Sequence, residues 1–362
     1  MEFMDRDNDQ YLLPLWDGRH VNWEPGMFAG SDTVKLMFPA EKLISVTDHT
    51  TGTVFVEGRD YTHAAGSAEI KLLPGSRIPS FTEADLHPVE SEKLRLHPLP
   101  DANGIRNAVD GGYLLYNNWE FFAEHQVDIE YEAKEIDFHP VLPRQPERLP
   151  DFRCKLAKGE AVRVTLVGDS ISQGYNATKF IDRSPHMPCY IELVCNELNR
   201  RCGSQVILDN LALTSTGITR TQENKEKYFA DKPDLMVLAY GMNNMWQMPV
   251  DEFIMHMNDV ISEMHDVNPH TEFLILTFMT GNPLWKPTVP GPDAVYAEAM
   301  RKYVAENNCH FALGDVQKVW RMFLERKSFY DLSGNGVNHP NDYGHRIYAT
   351  VILDMLLGDG YW

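Results

Sequence analysis

From residue 160 onward, continuous apolar runs rich in β-branched residues alternate with stretches of helical periodicity, and few folds accommodate that alternation. The runs are Val162 to Val167, Val206 to Leu208, Leu235 to Tyr240, Phe273 to Phe278 and His310 to Leu313. A strand with one face in water alternates apolar and polar residues throughout; apart from Arg163 and Thr165 in the first run, these are apolar in the main, as expected of parallel strands covered on both faces by helices. Between them, Met187 to Arg200, Val250 to His265 and Pro292 to Asn307 carry helical spacing behind a proline, aspartate or glycine signal. A last helix is expected from just after Asn341 to about Leu357. The fold class is therefore α/β: a doubly wound five-stranded parallel sheet with helices on both faces, whose ligands bind beyond the carboxyl ends of the strands.

Before residue 150 the texture differs. Short alternating runs, Thr33 to Phe38, Thr53 to Glu57, Glu69 to Leu73 and Gln126 to Tyr131, are separated by turn-forming stretches at Asp48 to Gly52, Ala65 to Ser67 and Pro74 to Ser76. This predicts a smaller N-terminal antiparallel β-sandwich domain over residues 1–138. Pro140, Pro143, Pro146 and Pro150 then crowd one short segment, which predicts a stiff linker over residues 139–159 and a second domain over 160–362. A chain of 362 residues is long enough for both.

Charge and composition narrow the partners. With 33 basic and 52 acidic residues the net charge is −19, which disfavours nucleic acid, anionic membranes and polyanionic substrates. The five cysteines are odd in number and form no CxxC pair, so they are expected to be reduced and mostly in the core. Met1 to Asp7 is acidic without an apolar leader, and no run approaches the roughly 18 apolar residues of a membrane span. A cytoplasmic location is expected, and a homo-oligomer is compatible with the sequence. No cofactor and no metal are expected: His339 and His345, six residues apart, match no zinc spacing.

Four blocks carry residues suited to acyl transfer. Ser170, in Val167-Gly168-Asp169-Ser170-Ile171, stands where the first strand of the α/β unit must give way to a turn. A serine there can act as nucleophile if a base lies within hydrogen-bond reach; Asp169 and Ser170 can equally serve as a turn and helix cap. With Ser172 two positions later instead of glycine, this is not the G-x-S-x-G elbow. His339 lies in a glycine- and asparagine-rich loop before Pro340 and is the best base, while His345 falls on the last helix, where packing or capping suits it. Asn243, in Gly241-Met242-Asn243-Asn244, can aim its amide at a developing oxyanion or simply build a turn. Gly217, after Asn210 to Thr216, offers an unobstructed backbone N–H or a helix entry.

Taken in this order, these blocks resemble the SGNH (GDSL-type) hydrolase superfamily of esterases and lipases, over roughly residues 160–358. The resemblance implies a flavodoxin-like sheet, Ser170 as nucleophile, His339 as base, and an oxyanion hole made by the Ser170 and Gly217 N–H groups and the Asn243 amide. It departs at the acid. The family has an aspartate three residues before the histidine, and Gly336 stands there, with Asn335 one residue further back. Either Asn335 orients His339 through its amide oxygen, or a backbone carbonyl does so and leaves a Ser-His dyad. The implied activity is hydrolysis of short-chain esters, above all acetyl, through an acyl-enzyme on Ser170. A small-molecule or carbohydrate ester is the expected substrate, with Trp16, Trp23, Tyr61 and Trp119 forming either a sugar-stacking surface or core. The competing readings are acyl transfer or thioester hydrolysis at the same site, and a catalytically silent glycan-binding module.

Overall fold

Two sheets organise the chain in the computed structural model, which describes residues 14–358 except 141 and 144, together with Trp362. The first sheet comprises β1 (Trp16–Asp17), β2 (His20–Gly26), β3 (Thr33–Asp48), β4 (Tyr61–His63), β5 (Ser67–Leu72) and β6 (Val127–Ala133). Its pairs are all antiparallel, in the spatial order β1-β2-β6-β3-β5-β4. Strand β3 runs well past the expected end at Phe38. Pro39 cannot donate to a ladder, and the chain meets this with a bulge: pairing of β3 with β5 shifts register between Lys35 and Ala40, beyond which β3 pairs with β6. The strand expected over Thr53 to Glu57 is reduced to isolated bridges, Thr47 to Val54 and Glu57 to Tyr61.

The second sheet is parallel throughout: β7 (Val162–Gly168), β8 (Val206–Asn210), β9 (Leu235–Ala239), β10 (Glu272–Leu276) and β11 (Phe311–Gly314), in the order β8-β7-β9-β10-β11. Every residue of β10 and β11 is buried, and apart from Glu272 at the start of β10 none is polar. Strand order reverses at β7, so the crevice beyond its carboxyl end lies at the topological switch point. The helices include α1 (Pro150–Ala157), α2 (Ser170–Gln173), α3 (Tyr190–Cys202), α4 (Val250–Val267), α5 (Pro292–Glu306), α6 (Val316–Leu324), α7 (Phe329–Leu332) and α8 (Asp342–Leu357); α3, α4, α5 and α8 are the four expected from the sequence. In α6, Val316, Val319, Trp320 and Phe323 form one buried stripe.

Helix α1 lies within the segment expected as a linker. Pro150 occupies its first position, where a missing N–H breaks no helical bond, and the buried Glu272 carboxylate accepts from the Phe152 N–H at 2.7 Å. Ahead of it, the Gln145 side chain pairs with both backbone groups of Leu313, at 2.8 and 2.9 Å. The segment is thus fastened along β11.

One hydrophobic cluster extends from Val21, Phe38 and Tyr131 of the first sheet to Phe323, Tyr343 and Ile347 of the α/β unit. Polar fasteners cross the same boundary. Fully buried Lys327 contacts Glu24 at 2.8 Å, Tyr131 donates to the same carboxylate at 2.6 Å, and Asp331 accepts the Met27 N–H at 2.8 Å. All five cysteines are unpaired, but only Cys189 and Cys195 are buried, so the expectation of mostly core thiols holds for those two. No helix among the described residues is long and apolar enough to cross a membrane.

Candidate active site

Strand β7 ends on Gly168, where an added Cβ would lie 2.7 Å from the Ser172 hydroxyl and 2.8 Å from the Ala239 carbonyl. Only glycine lets the chain turn this close to its neighbours. Asp169 then caps α2, its carboxylate accepting the Ile171 N–H at 3.1 Å. Capping therefore belongs to Asp169 and leaves the Ser170 hydroxyl for another partner. That partner is His339, 169 residues away in sequence: Ser170 Oγ lies 2.9 Å from His339 Nε2.

The other ring nitrogen identifies what holds the imidazole. His339 Nδ1 is 2.8 Å from Asn176 Oδ1, while Asn176 Nδ2 donates to the Trp119 carbonyl at 3.5 Å. A carbonyl accepts only from the NH2 end of the amide, so Oδ1 faces the ring, and Nδ1 must carry the hydrogen. Nε2 is then the free acceptor for the serine hydroxyl. Burial, with smaller contributions from His345 and His97, lowers the His339 pKa to about 3. The ring is neutral at ordinary pH, as a base must be.

Asn335 does not orient the ring. Its Oδ1 accepts the backbone N–H groups of Val337, Asn338 and His339 at 2.9, 2.9 and 3.0 Å; its Nδ2 donates to Asn338 and Asn118. It shapes the loop that presents His339. Gly336, at the family's aspartate position, has φ +80°, and a Cβ there would fall 2.5 Å from Phe122 and 2.7 Å from the Leu115 carbonyl. The N-terminal region thus fills the space an acid would need. Asn176 approaches so closely that a Cβ on Gly334 would lie 2.4 Å from its own Cβ. No motif marks Asn176 in the sequence; the only signal was the missing aspartate itself.

Across the rim, Asn243 Nδ2 donates to the Thr216 carbonyl at 3.0 Å, which leaves its second hydrogen for another acceptor. A Cβ on Gly217 would lie 2.5 Å from Asn244 Nδ2, and Asn244 Oδ1 accepts the Ile218 N–H. Asn244 is thus the structural member of the pair. The Leu213 N–H donates to the Gly168 carbonyl at 3.0 Å, joining this loop to the end of β7. Neither the Ser170 nor the Gly217 N–H has an acceptor among the described residues.

His345 is fully buried, stacked near Tyr190 and donating to the Tyr175 carbonyl, so it packs. Trp16 and Tyr61 are buried, which rules out one stacking face made of all four N-terminal aromatics; Trp119 remains 39% exposed. Asp151, Glu272 and His310 bring ligand-type atoms within 4.8 Å of one another. They lie at the opposite, amino-terminal end of the parallel sheet, with the Glu272 carboxylate already taken by the Asp151 and Phe152 N–H groups and His310.

Residues 166–347 match the model of the GDSL-like Lipase/Acylhydrolase family. Among solved structures, the chain is similar to LAE5, an alpha/beta hydrolase enzyme from the metagenome of Lake Arreo, at 19% identity and a TM-score of 0.46, over 56% of this chain and 98% of that one. It is also similar to Axe2, an acetylxylan esterase from Geobacillus stearothermophilus, at 17% identity and a TM-score of 0.46, over 57% and 98% of the two chains. No curated protein matches the sequence.

Proposed function

The chain belongs to the GDSL-like lipase/acylhydrolase family of the SGNH superfamily and is a carboxylic ester hydrolase; from that premise we propose that it cleaves short-chain esters through an acyl-enzyme on Ser170. The observation that carries this reading is the unbroken chain from Ser170 Oγ through His339 to Asn176, with contacts of 2.9 and 2.8 Å. His339 Nε2 takes the hydroxyl proton as Oγ attacks the ester carbonyl. Asn176 Oδ1 holds the tautomer that leaves Nε2 unprotonated for this step. The Ser170 and Gly217 N–H groups and the free Asn243 amide hydrogen receive the oxyanion. The imidazolium then protonates the leaving alcohol, and water, activated by the same ring, releases the acid and regenerates the serine.

The substrate class proposed is an acetyl ester of a carbohydrate. Trp119, half-exposed beside Asn176, offers a ring on which a sugar can stack. The silent-module reading rested on the missing aspartate, and Asn176 occupies the position at the ring that the aspartate would have served. In the test, wild type hydrolyses an aryl acetate and takes an organophosphonate label on Ser170, whereas Ser170→Ala, still folded, does neither. Hydrolysis retained in Ser170→Ala ends the proposal. A panel of acetylated sugars against longer acyl esters tests the substrate class, and preference for long chains would refute it.

A further inference from the structure

We propose that the N-terminal region is a working part of the hydrolase site: His49 and the 117–119 segment clamp the loops that carry Asn176 and His339, which makes His49 a positioning residue for catalysis. The inference rests on the reading of Ser170, His339 and Asn176 given above.

His49 follows β3, is 4% exposed, and sits between two carboxylates that are also buried. Its Nδ1 is 2.9 Å from Asp128 Oδ1, and its Nε2 is 3.1 Å from Asp342 Oδ2. Burial alone would lower its pKa, but the two carboxylates outweigh that and raise it to about 10, so His49 is a cation here. Asp342 is the first residue of α8, three positions after His339. It reaches onward to the other loop, with Oδ1 accepting the Thr178 N–H at 2.8 Å and Oδ2 the Thr178 hydroxyl at 2.6 Å. Thr178 stands two residues after Asn176. One buried carboxylate therefore ties the base of the histidine loop to the base of the asparagine loop, and His49 fixes that carboxylate from the N-terminal region.

A parallel strut lies beside it. Gln126 donates to Asp128 at 3.2 Å and accepts from the Asn341 amide at 2.8 Å, two residues from His339. On the far side of the imidazole, the Trp119 carbonyl takes the Asn176 amide, the Asn117 N–H donates to the Asn335 carbonyl at 3.3 Å, and Asn118 Oδ1 accepts from the Asn335 side chain. The His339–Asn176 hydrogen bond thus has N-terminal contacts on both flanks. A covalently nearby aspartate would need no such clamp; an orienter borrowed from another loop does, because a small shift of either loop breaks the alignment the reaction requires.

The test is a double-mutant cycle between His49→Gln and Asn176→Ala on the full chain, read as kcat and KM for an aryl acetate and as the rate of phosphonate labelling at Ser170, with folding followed by circular dichroism. His49→Gln should lower kcat by about tenfold or more with KM changed by less than about twofold, and should cost little further in the Asn176→Ala background. Should His49→Gln fail to fold, Thr178→Ala carries the same cycle, and Thr178→Ser, which keeps the hydroxyl, should restore the rate. Unchanged kcat in a folded variant, or losses that multiply in the double variant, would overturn the clamp while Ser170→Ala remained inactive. Full activity of Ser170→Ala would overturn instead the functional reading on which the clamp rests.

Discussion

Asn176 replaces a carboxylate with an amide at the ring of His339, and the difference is electrical. An aspartate there would favour the imidazolium and raise the ring's pKa; an amide fixes the tautomer without doing so. With the pKa lowered to about 3, the base stays available in acid. Between pH 7 and 5, kcat/KM should therefore stay level, where a base of ordinary pKa would lose about 25-fold. Asn176→Asp should move the acid limb toward neutrality, because the new charge stabilises the protonated ring; a pH–rate profile of both proteins decides it, and coincident limbs would refute the assignment. The carbonyl of Trp119 explains why the site uses an amide: a carboxylate would face it lone pair to lone pair. Gly336→Asp, which restores the family's residue, should not rescue an Asn176→Ala enzyme. Its φ of +80° and the contacts with Phe122 and Leu115 predict instead a loss of about 2–4 kcal/mol, measurable as a lower midpoint in denaturant.

At the scale of elements, what could be read from sequence was what neighbours in the chain determine. The parallel strands announced themselves because the central ones are buried almost throughout and largely apolar, and Ser170 and Asn243 because each sits just past such a strand, with Gly217 further along the loop after β8. His339 stood out because its loop had no apolar periodicity. Asn176 did not, since its role depends on a Trp119 carbonyl 57 residues away and on close approach to Gly334. The length of β3 was hidden by Pro39, and α1 by Pro150, because a proline's effect depends on whether its N–H position was to be paired at all. The segment between α6 and α7 carries a buried charge that no pattern foretold. Lys327 sits among Glu24, Asp331 and the Lys35 carbonyl, where burial disfavours its charge but the two carboxylates prevail and raise its pKa. Lys327→Met would strand both carboxylates and should cost about 3–5 kcal/mol, whereas adding Glu24→Gln should recover part of it. Equilibrium unfolding of the single and double variants checks this, and a near-neutral single variant would show the pair to be dispensable.

For the molecule as a whole, the same His49 that clamps the site makes stability depend on pH in a window where few other groups titrate. Folded His49 keeps its proton to about pH 10, while in the unfolded chain it loses it near 6.5. Between those values the native state binds the extra proton, so stability must fall as pH rises. Asp169, raised to about 7 by burial, acts in the same direction, but most of its contribution is gone by pH 7. Cys189 and Cys195, raised to about 12 by burial, begin to matter only above their ordinary value near 9. From pH 7 to 9 the slope therefore belongs mainly to His49, at an order of magnitude of 1 kcal/mol per pH unit. Melting temperatures at constant ionic strength should decline over that range in the wild type and stay nearly level in His49→Gln, which has no imidazole at that position to titrate. Parallel declines in the two proteins would mean that the buried imidazole is not the group responsible, and that the charge joining the two halves of this molecule lies elsewhere.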